Sequence, residues 1–141
     1  MQSIFVICMK HKGSISQTYL KRDKVILPML LRKARNMASW PTTMHQLCRI
    51  AASLPTPFFC IADDAALDYV RKRHLHGIVK TFRTAYRQRL YEAFWDEFVA
   101  VYEASPEMGL QNCVWKALAR PAPCVGLEPQ IIQRKISHIN K

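Results

Sequence analysis

No apolar run in this sequence approaches the roughly 18 to 20 residues that span a bilayer. The longest are Ile4 to Met9 and Val25 to Leu31, and Pro28 interrupts the second. An integral membrane protein is not expected. Nor does a basic region precede Ile4, and the run behind it is too short for a signal-peptide core, so the reading is cytoplasmic. Glycine is scarce, 4 residues in 141, and no glycine-rich phosphate loop, nucleophile elbow or other catalytic signature occurs. The five cysteines (Cys8, Cys48, Cys60, Cys113, Cys124) are odd in number and lack paired C-x-x-C spacing. That speaks against a closed disulfide framework and against a zinc ribbon. His45-x-x-Cys48 and His74-x-His76 are the motifs that could join Cys60 in a metal site, but scattered Cys and His ordinarily pack in cores or sit on surfaces. Asp63-Asp64 is suggestive of a metal nuclease, yet adjacent acids after an extended segment ordinarily cap a helix. No metal, no cofactor and no enzymatic activity are expected.

Acids are scarce as well, with 10 Asp and Glu against 21 Lys and Arg, for a formal net charge of +11. The imbalance is uneven along the chain. Residues 1–40 hold eight Lys or Arg against Asp23 alone, and residues 71–90 hold seven with no acid, whereas residues 91–107 hold five acids and no base. Solubility by itself favours mixed signs. Segregation of this kind creates a positive field over part of a surface, and phosphate backbones are the commonest ligands of such a field. Yet 50% of the residues are hydrophobic, which is the composition of a folded domain rather than of a disordered basic tail.

The pattern along the chain is helical. His11 to Lys24, with Gly13, Ser14 and Ser16, reads as a basic arm or loop, followed by a helix over Val25 to Ser39 that Trp40-Pro41 stops. Thr43 and Gln46 have capping-box spacing ahead of a helix from Met44 to about Ser53. Pro55-Thr56-Pro57 ends it, and Asp63 or Asp64 then caps a helix that runs to about His74 and is closed by Gly77. The clearest element spans Ile78 to Ala104, where Phe82, Tyr86, Leu90, Phe94 and Phe98 recur every four residues and predict a core-facing stripe. Helices over Leu110 to Ala119 and from Glu128-Pro129 to about Ile139 complete the chain, with Pro121-Ala122-Pro123 between them. The expected fold is all-α, a small bundle with a basic arm and helix in residues 1–43 and a helical domain in residues 44–141.

The two proline motifs belong to a repeat. Leu47 to Pro57 (LCRIAASLPTP) and Val114 to Pro123 (VWKALARPAP) each run a short amphipathic helix into Pro-x-Pro, and each is followed by apolar residues, an acid and another helix, 66 residues apart. A duplicated helix, Pro-x-Pro, helix unit around one long central helix is therefore predicted, with the prolines fixing a stiff corner where no ladder requires their missing donors. At Pro55-Thr56-Pro57-Phe58-Phe59, Pro121-Ala122-Pro123-Cys124-Val125 and the central helix, residues 44–139 resemble a family of small basic proteins of gut bacteria and their mobile elements. Its members carry two copies of a Pro-Ala-Pro-x-Phe-Tyr type motif. The resemblance implies the fold and the mobile-element setting, not an activity.

The function expected from these features is nucleic-acid binding, to RNA or single-stranded DNA through the backbone, in an accessory role beside a polymerase, reverse transcriptase or nuclease of a mobile element. The residues assigned to phosphate contact are Lys21, Arg22, Lys24, Arg32, Lys33 and Arg35 in the N-terminal part, with Arg71, Arg73, Lys80, Arg83 and Arg87 in the central part. Helical spacing over Ile78 to Ala104 puts Lys80, Arg83 and Arg87 on one face. The alternative reading is an assembly subunit whose basic face meets an acidic protein, with self-association through the aromatic stripe.

Overall fold

The structure, a computed structural model, describes residues 16–38 and 42–139. Cys8 and the Trp40-Pro41 stop lie outside them. Among the described residues the chain is all-α. Helix α1 begins at Gln17 behind the side-chain cap of Ser16 and continues through a π-helical turn, Arg22–Ile26, into Leu27–Met37. Residues 17–24 are thus helical, not an arm. The extra residue of the π turn resets the helix so that Arg22, Ile26, Leu27, Leu30, Leu31 and Ala34 are all buried. Helix α2 (Met44–Ala52) starts at the expected capping box, with Thr43 Oγ1 accepting from Gln46 N and Gln46 Oε1 accepting from Thr43 N.

Helix α3 (Asp63–His76) ends at Gly77 in the left-handed conformation (φ 67°), whose N–H returns to the Arg73 carbonyl while Ile78 N–H reaches that of Lys72. Its N-cap is Ala62, so neither Asp63 nor Asp64 caps it; both sit in the first turn, where their charge favours the helix dipole. Helix α4 covers Ala85–Ala104, not Ile78 onward. Thr84 is the reason: its hydroxyl accepts from Arg87 N–H and stops the helix from propagating backward into Ile78, Val79 and Thr81, β-branched residues that favour extended backbone. A 3₁₀ turn (Pro106–Met108), α5 (Leu110–Leu118) and α6 (Pro129–Ile139) follow.

The repeat reaches further than the proline motifs. α2 and α5 start at 44 and 110, α3 and α6 at 63 and 129, the same offset of 66 residues. The long helices correspond too: Ile26, Leu27, Leu30 and Ala34 of α1 are buried with the same spacing as Leu90, Tyr91, Phe94 and Phe98 of α4. The described chain is therefore two copies of a three-helix unit. The copies exchange their last helices. α1 and α2 of the first copy pack with α6 of the second around Leu30, Cys48, Ala51 and Ile132, while α4 and α5 of the second copy pack with α3 of the first around Phe94, Phe98, Val70 and Val114.

The crossing is made by the Pro-x-Pro segments. Thr56 N–H donates to the Ala122 carbonyl (2.9 Å) and Ala122 N–H to the Thr56 carbonyl (3.0 Å), a single antiparallel rung with a local two-fold relation. The segments do pair, then, although no ladder was expected of them. The prolines on either side occupy positions whose missing N–H faces away from the partner, so the rung forms and the outer edges are closed to further strands.

Candidate nucleic-acid interface

The three-helix exchange sorts the charge by lobe. Around α1, α2 and α6 stand nine Lys and Arg with only Asp23 and Glu128 as acids; residues 63–120, which build the other lobe, hold nine Lys and Arg against eight acids. Asp23 is already engaged, since Arg22 Nε lies 2.8 Å from its Oδ1 and Lys135 Nζ 3.1 Å from its Oδ2. Glu128 accepts from Gln130. Lys24, Arg32, Lys33 and Arg35 on α1, Arg49 on α2 and Arg134 on α6 are exposed, and among the described residues no acid lies within ion-pair distance of them. Arg49 and Arg134 were not among the residues singled out from sequence. Nothing local marks them; they join the α1 cations only because α6 crosses over from the second copy.

Two of the predicted phosphate contacts have other duties. Arg22 is 7% exposed, paired with Asp23, its guanidinium 4.6 Å from the Tyr19 ring centroid. Arg73 donates to Tyr69 Oη at 2.8 Å, lies 3.4 Å from Glu92 Oε1 and covers the Trp95 ring at 4.4 Å. Both are partners in packing. Lys80 and Arg83 precede α4 and Arg87 lies in its first turn, so the three do not form a helical stripe. Lys80 instead sits over Phe82 (5.4 Å), which stacks on Tyr91 at 4.3 Å. Arg71, Lys80, Arg83 and Arg87 remain exposed around the 77–84 connection, beside the exposed side chains of Leu75, Ile78 and Val79.

Leu90, Phe94 and Phe98 of the aromatic stripe are buried in the protein's own core at 3% exposure or less, while Phe82 and Tyr86 are half-buried. Cys48, Cys60, Cys113 and Cys124 are buried free thiols. Burial pushes Cys60 up to about 12 and raises Cys48 and Cys124, which keeps these three protonated at neutral pH. His74 packs on Phe98 and Tyr102, and among the described residues no three His, Cys, Asp or Glu side chains converge as metal ligands would.

An open groove of about 620 Å³ runs between α1, the first Pro-x-Pro corner and α5. Gln17, Thr18 and Lys21 line one side and Phe58, Asp63 and Trp115 the other, with the Lys21 ammonium 4.8 Å from the Phe58 ring centroid. No helix of the described residues is long and apolar enough to cross a membrane. No family model, no curated protein and no solved structure matches this chain.

Proposed function

We propose that the protein binds the phosphate backbone of a nucleic acid on the α1, α2 and α6 lobe. The observation that carries this is the near absence of acids there: Lys24, Arg32, Lys33, Arg35, Arg49 and Arg134 surround one three-helix core whose only acids are already hydrogen bonded. The cations are spread over three helices, which suits repeated phosphates better than a single small anion. The accessory role beside a polymerase, reverse transcriptase or nuclease is drawn from the basic charge, the small size and the mobile-element setting.

Each phosphate neutralised contributes about −0.7 to the log-log salt slope for a single strand and about −0.9 for B-form DNA. Replacing Arg32, Lys33 and Arg35 together by Gln should weaken binding to every sequence tested and make the slope shallower by roughly two units, with helix content unchanged because Gln is a comparable helix former. The matching replacement of Arg71, Arg83 and Arg87 should have the smaller effect. Titrations of a labelled oligonucleotide at several salt concentrations decide it, and an unchanged slope in the α1 variant sinks the assignment.

A second reading is favoured by a different observation. Leu75, Ile78 and Val79 are 60%, 55% and 49% exposed at and just past the end of α3, and Ile78 shares a recess with Lys72 and Lys80, a combination that fits an acidic, partly apolar protein surface. Binding of a protein partner that is lost in Ile78→Asp but kept in the α1 variant would favour it.

A further inference from the structure

The groove beside α1 is lined by two aromatics, Phe58 and Trp115, that each pack partly against a core and that the other copy of the repeat does without. The 66-residue offset pairs Trp115 with Arg49 and Phe58 with Cys124, so the other copy builds the same helices and corner without an aromatic at either position. Trp115 and Phe58 are each half-buried, with part of their surface facing the groove, whereas the core aromatics Phe59, Phe94 and Phe98 are at 1% exposure or below. Two exposed-edged aromatics, one cation and three uncharged or acidic hydrogen-bonding groups line a single recess.

Its surroundings identify the complement. Lys21 belongs to both the groove and the cationic helix, and the exposed Lys24 follows one turn on. The Lys21 ammonium lies over the Phe58 ring, 4.8 Å from its centroid, so a base stacks on that face once a phosphate has drawn the ammonium aside. A nucleotide presents the converse pair, a phosphate beside a flat π-face. A volume of about 620 Å³ is ample for one base with its sugar, while Gln17, Thr18 and Asp63 supply donors and acceptors for a Watson–Crick edge, which only an unpaired strand exposes. Duplexes keep their bases stacked and out of reach.

We propose that this groove takes a base of an unpaired strand against Phe58 and Trp115, with the adjoining phosphates on Lys21 and Lys24. The proposal rests on the backbone-binding reading above and makes it specific for single strands. Base-to-aromatic stacking contributes roughly tenfold or more in affinity per base, and it is insensitive to sequence because every base has a π-face.

The direct experiment uses the wild-type protein and three probes of equal length and label: a single-stranded oligonucleotide, the same sugar-phosphate chain without bases, and a duplex. The base-bearing single strand should bind about tenfold more tightly than the abasic chain, and Trp115→Leu and Phe58→Leu should each erase most of that preference while leaving the salt slope as it was. Circular dichroism confirms that the variants are folded. Equal affinity of wild type for base-bearing and abasic chains overturns the groove assignment and leaves the backbone reading standing. So does a preference that survives both variants. Failure of all three probes to bind removes both readings. If a glutamate-rich peptide protects the groove from tryptophan quenchers and the oligonucleotide does not, the recess is a peptide site and the proposal falls.

Discussion

Tyr91 and Cys60 are at 5% and 3% exposure, and burial pushes each of them up to about 12 from ordinary values of 10 and 9. Both hold their protons more firmly in the folded chain than in the unfolded one. Their contribution to stability is therefore complete below the unfolded values and is lost as the pH rises, from about 9 for the thiol and about 10 for the phenol, until the folded values near 12 are passed. The melting temperature should be flat with respect to these groups at pH 7 to 8 and fall above pH 9, and Tyr91→Phe should flatten the portion above pH 10 without losing the ring stacked on Phe82. Melting curves from pH 7 to 11 test this; an equally steep alkaline fall in Tyr91→Phe rules out the tyrosine as a cause. The single cations teach a related lesson. Excess positive charge was plain from the sequence, but which cations are free was not, because the partners that occupy Arg73 and Lys135 lie 19 and 112 residues away.

At the level of elements, helix positions were legible wherever caps and periodicity agreed, as at Thr43 to Gln46 and Gly77. They misled at Asp63 and Asp64, which follow the Ala62 N-cap instead of supplying it, and at the start of α4. The four-residue recurrence from Phe82 continues past the helix it belongs to, since Phe82 reaches Tyr91 from non-helical backbone anchored by Phe82 N–H to Gln88 Oε1 (3.2 Å). Periodicity reports which side chains are buried, not the backbone that delivers them. The corner after α5 makes a sharper demand. Gly126 has φ 84°, and a Cβ there would lie 2.5 Å from Leu90 Cδ2 and 3.2 Å from Leu90 Cβ. Gly126→Ala thus meets both backbone strain and a core clash, and should cost about 1 to 3 kcal/mol or more. Pro57→Ala and Pro123→Ala should cost less, about 0.4 to 1 kcal/mol each, through the freedom returned to the unfolded chain. Chemical denaturation ranks the three, and a Gly126→Ala protein as stable as wild type contradicts this account of the corner.

For the whole molecule, the repeat was legible because Pro-x-Pro and its flanking helices recur at one offset, but the exchange of last helices was not. α3 buries Ala66, Tyr69 and Val70 and α6 buries Ile132 and Ile136, and neither pattern states which copy's first two helices it is to meet. The choice has a mechanical consequence. Each core draws on both copies: Ile132 of the second copy is fully buried among Leu30, Leu47 and Cys48 of the first, and Val70 of the first is fully buried with Phe94 and Val114 of the second. Neither core can open by itself without withdrawing a helix whose chain passes through the Thr56–Ala122 rung into the other. Ile132→Ala, which leaves a cavity in the α1, α2 and α6 core, should cost about 2 to 5 kcal/mol. Trp95 and Trp115 pack against the opposite core, so in a background where the third tryptophan, Trp40, is replaced by Phe, their fluorescence reports on a region the substitution does not touch. If the exchange couples the two, the fluorescence midpoint in denaturant should fall with the far-ultraviolet circular dichroism midpoint, both as one transition in wild type and variant. Two separated transitions, with tryptophan emission keeping its wild-type midpoint while part of the helical signal is lost earlier, would show that the cores unfold independently despite the crossing.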